Sequence, residues 1–402
     1  MSTYKVRHLE TGEEIDRPWM LLNEHEKSSW NLASETDPAV EAFHQTLPDY
    51  NETKLHSLPA IASELGLAHV FVKDESTRFG LPAFKILGAS WAIHKAICQR
   101  LGVSVASSLD DVRRSLSTAQ SQASIRLVTC SEGNWGRATA RMAKMLGVPA
   151  TIYVPGFMSE YTQNLLRGEG ADVKVLKDGS YDDSIAATRQ DAESTGALMV
   201  MDTSWDGYQD VPQWVTQGYS TMLTETDRQV ASLTGGQRPN TLFVSVGVGS
   251  WAHSVVAHYK AADASNHIIS VEPETAACLK ESLHVAKLTS VKTGDTIMAG
   301  MNCGTPSLIA WPVLRGGVHA AVTVTELEAH NDVEYLKKEG VNAGPCGAAT
   351  LAALRKYAGT VDAQERAKMV VVLFSTEGWR QYEVPEVRIS SASSTTAADL
   401  SM

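Results

Sequence analysis

Short apolar runs alternate with amphipathic stretches along most of the 402-residue chain. The runs at Val70–Val72, Ile125–Thr129, Ala150–Val154, Val173–Leu176, Leu198–Met201, Thr241–Val246, Ile268–Val271 and Val370–Phe374 predict strands. Helical periodicity falls between them, at Arg137–Leu146, Asp183–Ser194, Pro212–Ser232, Ser250–Ala261 and Ala348–Tyr357. Near-continuous apolar strands separated by helices predict an α/β fold, with parallel sheets covered by helices on both faces. No internal repeat is visible. The Ser/Thr/Ala-rich stretch Ser390–Met402 predicts a disordered tail, set off here as residues 389–402, and it lacks a terminal Ser-Lys-Leu.

Composition narrows the functional classes. Apolar residues make up 43% of the chain and charged residues 20%, which suits a large packed core. The formal net charge of −11 and the absence of any basic run argue against a nucleic-acid or anionic-membrane partner. The five cysteines, Cys98, Cys130, Cys278, Cys303 and Cys346, are odd in number and widely spaced. They predict a reducing, cytoplasmic setting without a disulfide frame or structural zinc, and most read as small buried fillers. The histidines show no metal-ligand spacing. Residues 1–19 mix both charge signs without an apolar centre, unlike a signal peptide, and no apolar run reaches membrane-spanning length.

In open parallel sheets, ligands collect at the carboxyl ends of the strands. Four segments at such places carry candidate chemistry. Lys85 lies where a Gly/Pro-containing loop enters an apolar stretch, between Phe84 and Ile86. Burial and a positive helix end both lower an amine's pKa, which nucleophilic chemistry needs. Ser131-Glu132-Gly133-Asn134-Trp135-Gly136-Arg137 opens a helix with small and polar residues, an arrangement able to present N–H groups to a carboxylate. Gly247-Val248-Gly249-Ser250-Trp251 joins a strand to a helix and suits a phosphate. Ser375-Thr376-Glu377-Gly378 places hydroxyls after the last strand, within reach of a heterocyclic nitrogen. Singly, each admits a plainer reading as a helix-end lysine, a capped turn or a strand-end turn. The Gly247 loop, with Glu272 on the next strand, also imitates a dinucleotide fingerprint. It lies past mid-chain, however, and a dehydrogenase leaves the Lys85 and Asn134 loops without a role. Together the four segments supply an amine, an anion loop, a phosphate cup and a ring-nitrogen partner.

These residues resemble the fold-type II pyridoxal-phosphate enzymes, of which the tryptophan synthase β chain is one, and within them the diaminopropionate ammonia-lyase family. The resemblance runs from about Lys73 to Arg388. It is carried by Lys73-Asp74-Glu75-Ser76 with Arg78-Phe79-Gly80-Leu81-Pro82-Ala83-Phe84-Lys85, and by Asp202-Thr203-Ser204-Trp205-Asp206-Gly207-Tyr208 continued by Trp214-x-x-Gln217-Gly218-Tyr219. A third match is Asp295-Thr296-Ile297-Met298-Ala299-Gly300 with Cys303-Gly304.

The resemblance implies two lobes with pyridoxal 5′-phosphate between them. Residues 1–91 and 202–388 would form the large lobe, and 92–201 a small mobile lobe. Lys85 would carry the cofactor as a Schiff base and take the Cα proton of an L-amino acid. Asn134 would meet the ring hydroxyl, Gly247, Val248, Gly249 and Ser250 the phosphate, and Ser375 or Thr376 the ring nitrogen. Ser131, Gly133, Trp135 and Asp202 would contact substrate, and Glu132 stands where the family has an Asp that serves D-substrates. Glu272 and Glu377 read as structural or loop-shaping. The implied reaction is an α,β-elimination giving a 2-oxo acid and ammonia, by a homodimer. A serine/threonine-type dehydratase and a β-replacement synthase remain open beside it.

The chain departs from the family pattern around the pocket. Glu132 for Asp adds about 1.5 Å of reach, and a displacement of about 1 Å can cost about 100-fold in rate. Trp135 replaces a His, Pro82 an Asn, and Asn342-Ala343-Gly344 a Glu-Ser-Gly-like segment. This pattern predicts a retained cofactor with an altered substrate.

Overall fold

The computed structural model describes residues 2–27, 29, 36–118, 125–131 and 133–386. Glu132 and the tail at 389–402 lie outside the described residues.

Two sheets, one mostly and one wholly parallel, carry the fold. The larger has seven strands in the order β3-β12-β11-β10-β13-β5-β4. They are β3 (Met20–Leu22), β4 (Leu55–Ser57), β5 (His69–Asp74), β10 (Thr241–Ser245), β11 (His267–Pro273), β12 (Ala320–Val324) and β13 (Val370–Ser375). Its five inner strands run parallel, while β3 and β4 close the edges antiparallel. The smaller sheet, wholly parallel, has the order β8-β7-β6-β9, from β6 (Leu127–Cys130), β7 (Ala150–Pro155), β8 (Asp172–Leu176) and β9 (Leu198–Met199). An N-terminal hairpin, β1 (Thr3–Arg7) and β2 (Glu14–Pro18), stands apart.

The inner strands are apolar because both faces are covered. On β13, Val370, Val372 and Phe374 pack into one core and Val371 and Leu373 into another. Seven helices position the site: α1 (Lys85–Leu101), α2 (Asn134–Leu146), α3 (Asp210–Gly218), α4 (Ser220–Thr234), α5 (Ser250–Ala262), α6 (Cys278–His284) and α7 (Pro345–Ala358). Helix α1 packs against both α2 and α3, so the lobe boundary expected between residues 91 and 92 falls inside one continuous helix. The stretch Pro212–Ser232, expected as one helix, is two, broken at Tyr219. No helix among the described residues is long and apolar enough to cross a membrane.

Candidate functional site

The segment leading to Lys85 is held by buried charge. Arg78 pairs with Glu75 at 2.8 Å and with Glu225 at 2.6 Å, and Lys73 reaches Glu225 at 2.8 Å, all with fully buried side chains. Two cations and two carboxylates balance there, so no buried charge lacks a counter-ion. Phe79 sits at φ +53°, and its N–H donates to Asn51 Oδ1 at 2.8 Å. Past that turn the chain pairs with the end of β13. The Phe84 N–H donates to the Thr376 carbonyl at 3.2 Å, and the Gly378 N–H to the Pro82 carbonyl at 2.8 Å. Lys85 then opens α1, as expected, directly after this backbone pairing.

The environment of the Lys85 amine differs from the expectation. Its Nζ donates to Asp202 Oδ2 at 2.6 Å and lies 5.3 Å from the Phe84 ring centre and 5.9 Å from that of Trp135. Burial, the largest single influence, pulls the amine's pKa down, but Asp202, Tyr219 and Cys303 together outweigh it and the net shift is upward. The expected lowering is thus corrected: the groups around the amine, Asp202 foremost, together win over desolvation.

Asp202 follows β9, in a loop pinned from two sides. Ser250 Oγ donates to the Asp202 carbonyl, and Ser204 Oγ contacts Ser307 Oγ at 2.7 Å. The same Ser250 begins α5, so the Asp202 loop and the Gly247 loop form one surface.

The Gly247 loop fits a phosphate by its shape. A Cβ on Gly247 would lie 2.8 Å from the Gly300 carbonyl oxygen and 3.1 Å from Cys303 Sγ, so only glycine leaves the approach open. Gly249 takes φ +92° as N-cap of α5, with no side chain capping the helix. The first N–H groups of a helix have no partner within it, and the dipole adds a positive end. Glu272 plays no part in nucleotide chemistry here: it accepts the N–H groups of Leu279 at 2.7 Å and Lys280 at 2.8 Å, at the start of α6.

The ring end is built from β13 and α2. Thr376 Oγ1 lies 3.4 Å from Ser245 Oγ, and Ser375 Oγ points back to the Glu377 carbonyl at 3.4 Å. Asn134, the first residue of α2, donates from Nδ2 to Glu377 Oε2 at 3.2 Å. The other oxygen of Glu377 is buried and has no hydrogen-bond partner among the described residues. Glu377, expected only to shape a loop, therefore touches the residue assigned to the ring hydroxyl.

Ser131 ties together both ends of its loop. Ser131 Oγ accepts the N–H groups of Gly133 at 3.0 Å and Gly136 at 2.8 Å, capping the loop as the plainer reading had it. Trp135 is buried, and its indole N–H is directed to Thr129 Oγ1 at 3.0 Å and the Val200 carbonyl at 3.2 Å. Its ring face is what remains toward Lys85.

The structure thus brings Lys85, Asp202, Trp135 and Ser250 into one connected cluster, with Asn134 and Thr376 joined to it through the Glu377 segment. Sequence reasoning missed two members. Tyr219 acts electrostatically on Lys85, yet only its place in the Trp214–Tyr219 segment marked it. Glu225 anchors the Lys85 approach from 147 positions beyond Arg78, and no spacing announces it. The cluster fits pyridoxal 5′-phosphate by three features: a glycine-opened helix start, a buried hydroxyl pair at the end of β13, and a lysine whose preceding residue pairs with that strand end.

Known proteins give the same direction. Residues 46–375 match the family described as pyridoxal-phosphate dependent enzyme. Over 360 residues the chain is 34% identical to the diaminopropionate ammonia-lyase of Salmonella typhimurium, an alignment spanning 84% of this chain and 88% of that protein. The crystal structure of diaminopropionate ammonia lyase from Escherichia coli in complex with D-serine superposes with a TM-score of 0.81 at 27% identity, over 94% of this chain and 95% of that one. The same Escherichia coli enzyme in complex with an aminoacrylate-PLP azomethine reaction intermediate gives a TM-score of 0.77 at 27% identity, with the same coverage.

Proposed function

Because this chain belongs to the pyridoxal-phosphate-dependent enzyme family, we propose that it is a carbon–nitrogen lyase acting on 2,3-diaminopropionate or a close β-substituted amino acid. The overall change is 2,3-diaminopropionate plus water to pyruvate plus two ammonia. The observation that carries the reading is the 2.6 Å contact between Lys85 and Asp202, next to the Gly247 cradle.

The residues divide the work. The N–H groups at Gly247, Val248, Gly249 and Ser250 would hold the phosphate, Asn134 the ring hydroxyl, and Thr376 or Ser375 the ring nitrogen. Pyridoxal 5′-phosphate, when bound, supplies an electron sink that makes the substrate Cα proton acidic. A hydroxyl partner to the ring nitrogen moderates that sink, which favours prompt loss of a β-substituent. Lys85 takes the Cα proton onto Nζ. Asp202 stabilises the resulting ammonium and attracts the substrate's own ammonium groups, which helps the β-nitrogen depart as ammonia. Trp135 forms an apolar wall beside Lys85 and helps exclude water. The sheet of β6–β9 carries Asn134 and Trp135 on its side of the cleft, and we take it as the part that closes over substrate. A cytoplasmic homodimer is the proposed working unit.

The test is direct. Purified protein loaded with pyridoxal 5′-phosphate is given L- and D-2,3-diaminopropionate, L-serine, L-threonine and bulkier β-substituted alanines, and 2-oxo acid and ammonia are measured. Release of both from diaminopropionate, two ammonia per pyruvate, is expected. Release from the hydroxy amino acids alone would replace the reading with a dehydratase.

A further inference from the structure

Tyr219 is fully buried, and its hydroxyl makes no well-formed hydrogen bond among the described residues, although it lies close enough to the Lys85 amine for the two groups to act on each other. A buried phenol normally finds a partner, because losing water without one costs about 1–3 kcal/mol. Three features hold this one in place. Its ring packs at 4.7 Å from that of Phe84, the residue before Lys85, and at 5.7 Å from that of Trp251, in the first turn of α5. Tyr219 is the residue shared by the end of α3 and the start of α4, and its backbone keeps a right-handed helical conformation. Gly88 then makes room for it: a Cβ there would sit 2.7 Å from Tyr219 Cε1 and 2.8 Å from Cζ. Gly88 is three residues after Lys85 on α1, so it lies on the lysine's own face of the helix. Gly218 completes the approach, since its Cβ would lie 2.5 Å from the Leu87 carbonyl oxygen. Two glycines thus let a phenol onto the helix surface beside Lys85, where nothing in the packing requires a hydroxyl.

We propose that Tyr219 is a positioning residue for Lys85: its hydroxyl accepts a hydrogen bond from Nζ when the lysine holds the proton removed from Cα, and so keeps that nitrogen facing the substrate. This rests on the role given to Lys85 above. The proton moves from Cα to Nζ and the electron pair stays with the substrate; the phenol keeps its own proton throughout. Asp202 and Cys303 are the other groups acting on the Lys85 amine. Asp202 supplies charge from one side, and Tyr219 supplies a fixed neutral acceptor.

The test uses Tyr219→Phe, which keeps the ring and its packing. In the holoenzyme, kcat on diaminopropionate falls about 10-fold or more, as for a lost hydrogen bond to a charged group, and KM stays within about twofold. The primary isotope effect with α-deuterated substrate rises, because proton removal becomes more rate-limiting. In cofactor-free protein, the pH at which an amine reagent half-labels Lys85, followed by peptide mass spectrometry, falls when the acceptor is removed. Gly88→Ala, which displaces the phenol while keeping its hydroxyl, gives the same changes and stands in should Tyr219→Phe fail to fold. An unchanged kcat, or an unchanged labelling midpoint, overturns the proposal. If the parent enzyme releases no 2-oxo acid from any substrate, the lyase reading falls, and the labelling midpoint still decides whether Tyr219 acts on Lys85.

Discussion

The loop after β10 and the loop after β6 face one cluster but are built on opposite principles. After β10, the site is made of backbone. Gly247 lies so near Gly300 and Cys303 that no side chain fits, and Gly249 takes a left-handed conformation to start α5. After β6, the site is made of side chains. Ser131 ties up two amides as a cap, and Trp135 fills the wall beside Lys85. A backbone cup recognises a phosphate whatever else the ligand carries. A wall of side chains can be exchanged without disturbing the cup.

The comparison breaks most completely at the lysine the two loops share. Lys85→Ala is expected to lower turnover by about 10⁴-fold or more, since on the proposed mechanism it removes the proton acceptor together with the cofactor anchor. The visible absorption of the loaded protein should disappear with it. A variant that kept both would leave the cluster without a chemical centre. The next largest effect is expected in the cup. Gly247→Ala forces a methyl against a carbonyl oxygen that belongs to another segment, at a cost of about 1–3 kcal/mol. Affinity for pyridoxal 5′-phosphate, measured by titration of the cofactor-free protein, should drop about 10- to 100-fold, with KM for the amino acid nearly unchanged once cofactor saturates.

How legible these two regions were follows from the same distinction. The cup was readable because its constraint is local: two glycines, a serine and a strand–helix junction adjoin in the chain. The eight apolar runs likewise marked strands to within a residue or two, since strands covered on both faces need little beyond continuous apolarity. What failed was non-local. The upward shift of Lys85 comes foremost from Asp202, 117 positions away. The break at Tyr219 coincides with a close approach to Leu87 and Gly88, which no periodicity within 212–232 reveals. Strand β12 reads Ala-Ala-Val-Thr-Val, too short and small to stand out, and edge strands β3 and β4 exist only through neighbours remote in sequence.

The wall of side chains should respond in selectivity rather than in cofactor binding. Trp135→His trims a buried ring and restores the family's usual residue type. Larger β-substituted alanines should then gain on diaminopropionate by about 10-fold in relative kcat/KM, the scale on which a pocket distinguishes small changes in apolar bulk. Cofactor affinity should stay within about twofold, because Trp135 directs its N–H to Thr129 and Val200 and not to the Gly247 loop. A parallel loss of cofactor affinity would merge the two regions into one unit.

The smallest effect on catalysis is expected one layer behind the cup, at Glu272. Burial pushes this carboxyl up to about 7, while the N–H groups of Leu279 and Lys280 pull it the other way. The folded protein then holds the proton more tightly than the unfolded chain does, whose carboxyl titrates near the usual 4.5. The stability this group contributes is therefore full at or below that value and is lost as pH rises through about 7. Its contribution to the slope of unfolding free energy is downward with pH, reaching at most about 1.4 kcal/mol per pH unit for a single proton. Glu272→Gln should remove that component, so that urea unfolding of the variant between about pH 5 and pH 8 is flatter than that of the parent. Turnover at neutral pH should hardly change, because Glu272 reaches the site only through the start of α6. Equal slopes in the two proteins would mean that the two amides keep the carboxylate ionised in the folded state.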